Sequence, residues 1–203
     1  MLQEQLTIFI IPYRQRPEHI HISLYNIHSL MRSQRKPHWI ILVEQKSGNE
    51  RFNKGRLLNA GFLLAGRKLS VWEKACFVFH DVDLIPASAN TSYDCLPPRA
   101  RHVASAIQKF HWKLPYSSNF GGVIAMQGKS YRRMNGHSNA YWGWGGEDDD
   151  AWQRAHAAGL KVSRLPPARS AFYSLSHRRD PGNLSEPKLV LTSAILLVHS
   201  FID

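Results

Sequence analysis

Cys76-Phe77-Val78-Phe79-His80-Asp81-Val82-Asp83 is the stretch on which the fold turns. Cys76 to Phe79 is a short apolar run of the kind that forms a strand buried on both faces. It runs straight into two carboxylates placed two residues apart. The C-terminal ends of strands are where open α/β sheets put their ligand sites. Asp81 and Asp83 together can reach one hard divalent cation and the ribose or phosphate beside it. Acid pairs at strand ends also serve as turn and cap residues, so the pair alone leaves both readings open.

Upstream, Leu6 to Ile11 (LTIFII) reads as a buried strand ended by Pro12, and Ile40 to Val43 as another. Between them Ile20, Leu24, Ile27 and Met31 recur at helical spacing, and Asn53 to Leu64 predicts a second helix. Strands alternating with helices imply a mainly parallel α/β sheet. Downstream, Leu84 to Arg101 contains prolines, a sequon and Cys95, and is expected to be an excursion loop. Val103 to Ile107 and Val123 to Met126 are expected strands, and Glu147 to Ala158 an expected helix with its acids in the first turn. No internal repeat or linker divides the chain, so residues 1–203 are expected to form one domain.

Trp142-Gly143-Trp144-Gly145-Gly146-Glu147-Asp148-Asp149-Asp150 is the least ordinary segment. Acids favour a helix N-terminus, where the macrodipole stabilises them. Four in a row nevertheless repel one another, which points to a cation, a hydroxyl-bearing ligand or a raised pKa. Glycines around Trp142 and Trp144 describe a mobile loop carrying flat surfaces that can stack on sugar rings. Phe120-Gly121-Gly122 lets backbone approach a ligand, or makes a bulge or tight turn. His177, among Arg178, Arg179 and Asp180, gains interest as a cation ligand only beside Asp81 and Asp83.

The bulk numbers set limits on these readings. Hydrophobic residues at 43% and charged residues at 20% describe a globular chain. A net charge of +11 suits a phosphate-rich partner, but Lys and Arg are scattered in twos and threes with no basic arm, which disfavours nucleic acid. A cleft for a nucleotide diphosphate needs the same charges. No apolar stretch reaches the ~20 residues of a membrane span. Leu189 to Ile202 is interrupted by polar residues and reads as a buried or amphipathic segment. Cys76 and Cys95 can be free or bonded. The sequons Asn90-Thr91-Ser92 and Asn183-Leu184-Ser185 lean towards a secretory lumen.

Ile11-Pro12-Tyr13-Arg14-Gln15-Arg16-Pro17-Glu18-His19, Phe52 to Phe62, Phe79 to Pro86, Phe120 to Val123 and Trp142 to Asp150 resemble, in order, the signature blocks of the β-1,4-galactosyltransferases. The resemblance implies a GT-A type fold: a single, mainly parallel mixed sheet flanked by helices around a nucleotide-sugar site. It implies an inverting, manganese-dependent transfer of galactose or N-acetylgalactosamine from a UDP-sugar to the 4-hydroxyl of a GlcNAc-terminated acceptor. Asp83 and His177 would hold Mn2+. Pro12, Arg14, Arg16, Phe52, Lys54, Asp81, Val82 and Trp144 would contact the donor, with Lys54 standing where the family usually has arginine. Asp148 would be the catalytic base, with Gly146, Glu147 and Asp149 beside it at the acceptor. Cys76 and Cys95 match the family's disulfide, which implies an oxidising, Golgi-lumenal setting and a type II anchor N-terminal to this chain.

Three positions depart from the family pattern. Ser174 stands where a methionine metal ligand is usual, and Asn119 occupies the position that bears on galactose against N-acetylgalactosamine. Residues 182–203 do not resemble the segment that closes over the donor and completes the acceptor site. A competing reading is therefore a catalytically impaired protein that binds carbohydrate or UDP-sugar.

Overall fold

The computed structural model describes residues 5–48 and 50–177; Asn183, the run Leu189 to Ile202 and the divergent segment 182–203 lie outside them. The chain order is β1 (Thr7–Tyr13), α1 (Pro17–Ser33), β2 (His38–Glu44), α2 (Lys54–Lys68), β3 (Cys76–His80), β4 (Leu84–Pro86), β5 (Ala100–His102), β6 (Ala106–Ile107), β7 (Val123–Gln127), α3 (Gly128–Arg133), α4 (Glu147–Ala157), β8 (Val162–Arg164) and β9 (Ala171–Ser174). A six-stranded mixed sheet runs β2-β1-β3-β7-β5-β8. β1 pairs in parallel with β2 and β3, and β7 is antiparallel to both its neighbours, β3 and β5. This is the α/β arrangement of the GT-A type.

The two-residue period of the strands builds two cores, one on each face of the sheet. Ile8 and Ile10 of β1 and Phe77 and Phe79 of β3 face Leu58, Phe62 and Ala65 of α2, Tyr131 of α3, and Ala151 and Ala155 of α4. Phe9, Ile11, Cys76 and Val78 face the other way, onto Ile27, Leu30 and Met31 of α1 and onto Tyr93, Cys95 and Phe172. The disulfide Cys76–Cys95 ties the long segment after β4 to the start of β3.

Several boundaries differ from those expected. β1 continues through Pro12 to Tyr13, because its pairing with β3 ends at Ile10↔Phe79 and a residue without N–H is tolerated where a neighbour has run out. Leu84 to Arg101 is not wholly a loop: its ends form β4 and the start of β5. The strand expected over Val103 to Ile107 is broken. The N–H groups of both Val103 and Ala104 donate to the Val123 carbonyl (2.8 and 3.1 Å), and that doubling ends the β5 ladder. The chain then joins a second, three-stranded sheet, β4-β9-β6, in addition to the one sheet expected.

Candidate active-site cleft

The cleft forms where β1 and β3 end and where the N-termini of α2 and α4 meet them. Asn53 caps α2: its side-chain oxygen accepts from the Arg56 N–H (2.9 Å), while its Nδ2 donates to the Asn139 carbonyl (2.8 Å). Buried Asn59 donates to the His137 carbonyl (2.8 Å) and accepts from the Tyr131 hydroxyl (2.6 Å). These bonds fix residues 137–139 against α2, and they anchor the tryptophan–glycine loop that follows. The Gly143 N–H donates to the Phe52 carbonyl (2.8 Å), and the Arg56 guanidinium lies 4.6 Å from the Trp142 ring centroid. Gly146, at φ 88°, is the N-cap of α4, a backbone conformation open mainly to glycine.

All four acids, Glu147 to Asp150, lie in the first turn of α4. The helix dipole stabilises them, and individual partners separate their roles. Asp150 pairs with Arg154 one turn on (2.5 Å). Asp149 accepts from the Tyr116 hydroxyl (2.8 Å). The Glu147 carboxylate accepts from the Gly145 N–H (3.1 Å), and burial, reinforced by Asp148 next to it and opposed by Lys54, holds its pKa well above the usual carboxylate range.

Asp148 faces Asp81 across a single cation. Lys54 Nζ lies 2.9 Å from Asp81 Oδ1 and 3.1 Å from Asp148 Oδ1, and only 14% of the lysine side chain is exposed. Burial alone would lower the Lys54 pKa, but Asp148, Asp81 and Glu147 outweigh it and hold the ammonium well above its ordinary value. Burial raises Asp81; Lys54 opposes the rise, and Asp83 and Asp148 add to it. Gly121 closes the far side of Asp148. A Cβ there would fall 2.2 Å from Asp148 Oδ2, so the close approach that Phe120-Gly121-Gly122 permits is to a carboxylate of the chain itself. His102 braces this turn through a bond between its Nε2 and the Gly121 carbonyl (2.9 Å).

A second group gathers on the other side of Asp81. The Leu175 N–H donates to the Asp83 carbonyl (2.8 Å), which brings the end of β9 alongside. His177 Nε2 then lies 3.4 Å from Asp83 Oδ2, and its Nδ1 lies 3.1 Å from Arg16 Nη2. Ser174, paired in register with Leu84, ends β9 on the same flank. Arg14 donates to the Glu50 carbonyl (2.7 Å) and stands over the Phe52 ring (5.7 Å).

The structure brings together Lys54, Asp81 and Asp148, and separately Arg16, Asp83 and His177. Other expected site residues stand apart. Pro12 is buried within β1, Val82 packs against the α1-side core, and the Trp144 side chain is 61% exposed. Asn119 is held through its backbone: its N–H donates to the Tyr116 carbonyl (3.1 Å) and its carbonyl accepts from Arg164 (2.9 Å). Tyr116 and His102 were not singled out in the sequence. Neither belongs to a motif, and only the folded chain carries them to Asp149 and Gly121.

Residues 2–96 match the family described as the N-terminal region of glycosyl transferase group 7, and residues 101–178 the one described as the N-terminal domain of galactosyltransferase. β-1,4-Galactosyltransferase 3 of Homo sapiens is 42% identical over 181 residues, covering 89% of this chain and 45% of that protein. β-1,4-Galactosyltransferase 2 of Cricetulus griseus is 40% identical over 184 residues, covering 91% and 49%. The chain thus spans about half the length of the curated relatives it matches. A Drosophila β-1,4-galactosyltransferase 7 crystallised with manganese, UDP-Gal and xylobiose superposes with a TM-score of 0.75 at 29% identity, covering 86% of this chain and 72% of that one. The catalytic domain of the same enzyme with xylobiose gives 0.77 at 28% identity, covering 91% and 77%.

Proposed function

Because the chain belongs to the β-1,4-galactosyltransferase family of glycosyl transferase group 7, we propose that it transfers galactose or N-acetylgalactosamine from a UDP-sugar to the 4-hydroxyl of a GlcNAc-type acceptor, with inversion and with manganese bound. The observation that carries this reading is the Lys54 bridge, which sets the Asp148 carboxylate opposite the Asp81–Asp83 pair.

The donor set suits the metal. Two ligands on one ion at about 2.1 Å sit roughly 3 Å apart, and Asp83 Oδ2 and His177 Nε2 are 3.4 Å apart. Asp83 and His177 would supply a carboxylate oxygen and an imidazole nitrogen, donors that suit manganese, while Ser174 in place of the family's methionine would loosen the choice of metal. Bound manganese supplies neutralisation of the charge that builds on the diphosphate leaving group.

The chain's own residues do the rest. Arg14, Arg16 and Phe52 line the end of β1 and the start of α2, where they receive the uridine and diphosphate, and Trp144 on its glycine loop covers the donor. Asp148 takes the proton from the acceptor hydroxyl as that oxygen attacks the anomeric carbon from the face opposite the UDP. One in-line displacement turns an α-linked donor into a β-linked product. Asp149, oriented by Tyr116, and Glu147, with Gly146, hold acceptor hydroxyls. Asn119 sits at the edge where the donor's 2-substituent is read. The site works in the Golgi lumen, in a chain anchored N-terminal to this segment.

A panel of UDP-galactose and UDP-N-acetylgalactosamine against GlcNAc and xylose glycosides, with manganese or chelator, tests the proposal. Manganese-dependent product on GlcNAc is the expected result. Product only on the xyloside would reassign the acceptor, in line with the xylobiose bound by the Drosophila enzyme. UDP binding without any product would establish the competing reading of an impaired sugar-nucleotide binder.

A further inference from the structure

The segment after β4 contains a feature that the transfer chemistry does not use. Asn90 of Asn90-Thr91-Ser92 is exposed, while the two residues behind it are buried, at 0% and 3% exposure. The loop is pinned on both sides of Asn90. Gln34 Nε2 donates to the Ala89 and Thr91 carbonyls (3.0 and 2.8 Å), and the Asn90 N–H donates to Ser88 Oγ (3.1 Å). Beside it opens a groove of about 660 Å³ lined by the Lys36–Asp94 ion pair, Arg169 and the apolar Ala89 and Ala168.

Its position is remote from the cleft. α1 starts beside Arg16 and runs 17 residues back to Gln34, about 25 Å of helix, so Asn90 lies at the opposite end of the sheet from Asp83. We propose that Asn90 carries an N-linked glycan, attached during synthesis and seated over this groove. This rests on the lumenal setting of the proposed function. In the step, Asn90 Nδ2 forms a bond to C1 of the first N-acetylglucosamine of a lipid-diphosphate-linked oligosaccharide. The C1–O bond to the lipid diphosphate breaks, and the amide gives up one proton.

The order of events follows from Ser92. Its hydroxyl, which the acceptor triplet must present, donates to Asp94 Oδ2 (2.8 Å) and accepts from Arg101 (3.2 Å) in the folded chain. Attachment therefore precedes closure of this segment, and afterwards only Asn90 remains outside.

The test is secretion of the chain, behind a cleavable signal, from cultured vertebrate cells. Asn183→Gln removes the other sequon. Material from the medium is treated with peptide N-glycosidase and mapped by mass spectrometry. The expected result is a mobility shift in Asn183→Gln that vanishes when Asn90→Gln is added, aspartate at position 90 after the enzyme, and unchanged sugar transfer in Asn90→Gln. An unmodified Asn90 in secreted Asn183→Gln protein overturns the inference. The mobility shift is read without any turnover, so failure of the transferase reading would leave this result distinct.

Discussion

Lys54 Nζ lies 3.1 Å from Asp148 Oδ1, which joins the first residue of α2 to the first turn of α4 through one buried ammonium. The same nitrogen lies 2.9 Å from Asp81 Oδ1, so both carboxylates depend on it. Lys54→Met leaves them facing each other with no cation between, and a proton must replace the lost charge. The expected loss in kcat/KM for the UDP-sugar is about 100-fold, the scale of removing one preorganised charge from an active site. Steady-state transfer assays of the purified variant give that figure.

Gly121→Ala deletes no proposed reacting group yet is expected to displace Asp148. The new Cβ would stand 2.2 Å from Asp148 Oδ2, so the carboxylate must move by about an ångström. Misplacement on that scale can cost roughly 100-fold in turnover. Transfer should fall while manganese-dependent UDP binding, measured by calorimetry, stays near the wild-type value.

Tyr116→Phe removes the hydroxyl that donates to Asp149 and that also meets the Asn119 side chain. A single hydrogen bond of this kind contributes about 0.5–1.5 kcal/mol, so the acceptor KM should rise roughly 2–10-fold and more than the donor KM. Varying each substrate in turn separates the two.

Much of this arrangement is legible in the sequence, for a definite reason. Strand periodicity places Phe77 and Phe79 on one face and Cys76 and Val78 on the other, and the carboxylates at the end of β3 follow from position alone. The Lys54–Asp148 contact bridges residues 94 apart, and no local pattern encodes it. The acid run at Glu147 to Asp150 signalled unusual electrostatics, but which acid meets Lys54, Tyr116 or Arg154 is decided by how α4 packs. Short strands such as β6, β8 and β9 carry too few residues to show a period, so the second sheet was invisible.

Acid should weaken the fold through its buried histidines. Burial lowers His80 and His102 to about 4 and His137 to about 3, against an ordinary value of 6.5. Below pH 6.5 the unfolded chain takes up protons that the folded one refuses. The stability contributed by neutral histidines is thus complete above pH 6.5 and is lost as pH falls towards 4. Asp81 and Glu147, held high by burial, act with the opposite sign and offset part of this. Thermal unfolding in chelator from pH 4 to 7 should show the midpoint rising with pH, and His102→Gln should flatten that rise.

Asp83→Asn and His177→Ala each remove one proposed cation ligand and should weaken manganese binding at least about 10-fold with the fold intact. Electron paramagnetic resonance of free manganese reads this directly, and wild-type affinity in both variants would remove the assignment.

The most direct test compares wild type with Asp148→Asn in the reaction of a UDP-sugar with a GlcNAc glycoside, with product linkage read by NMR. A β-1,4-linked product formed by wild type with manganese, absent under chelator and absent from an Asp148→Asn variant that still binds UDP, is what this account requires. Product from Asp148→Asn at the wild-type rate, or from wild type without the metal, would contradict it.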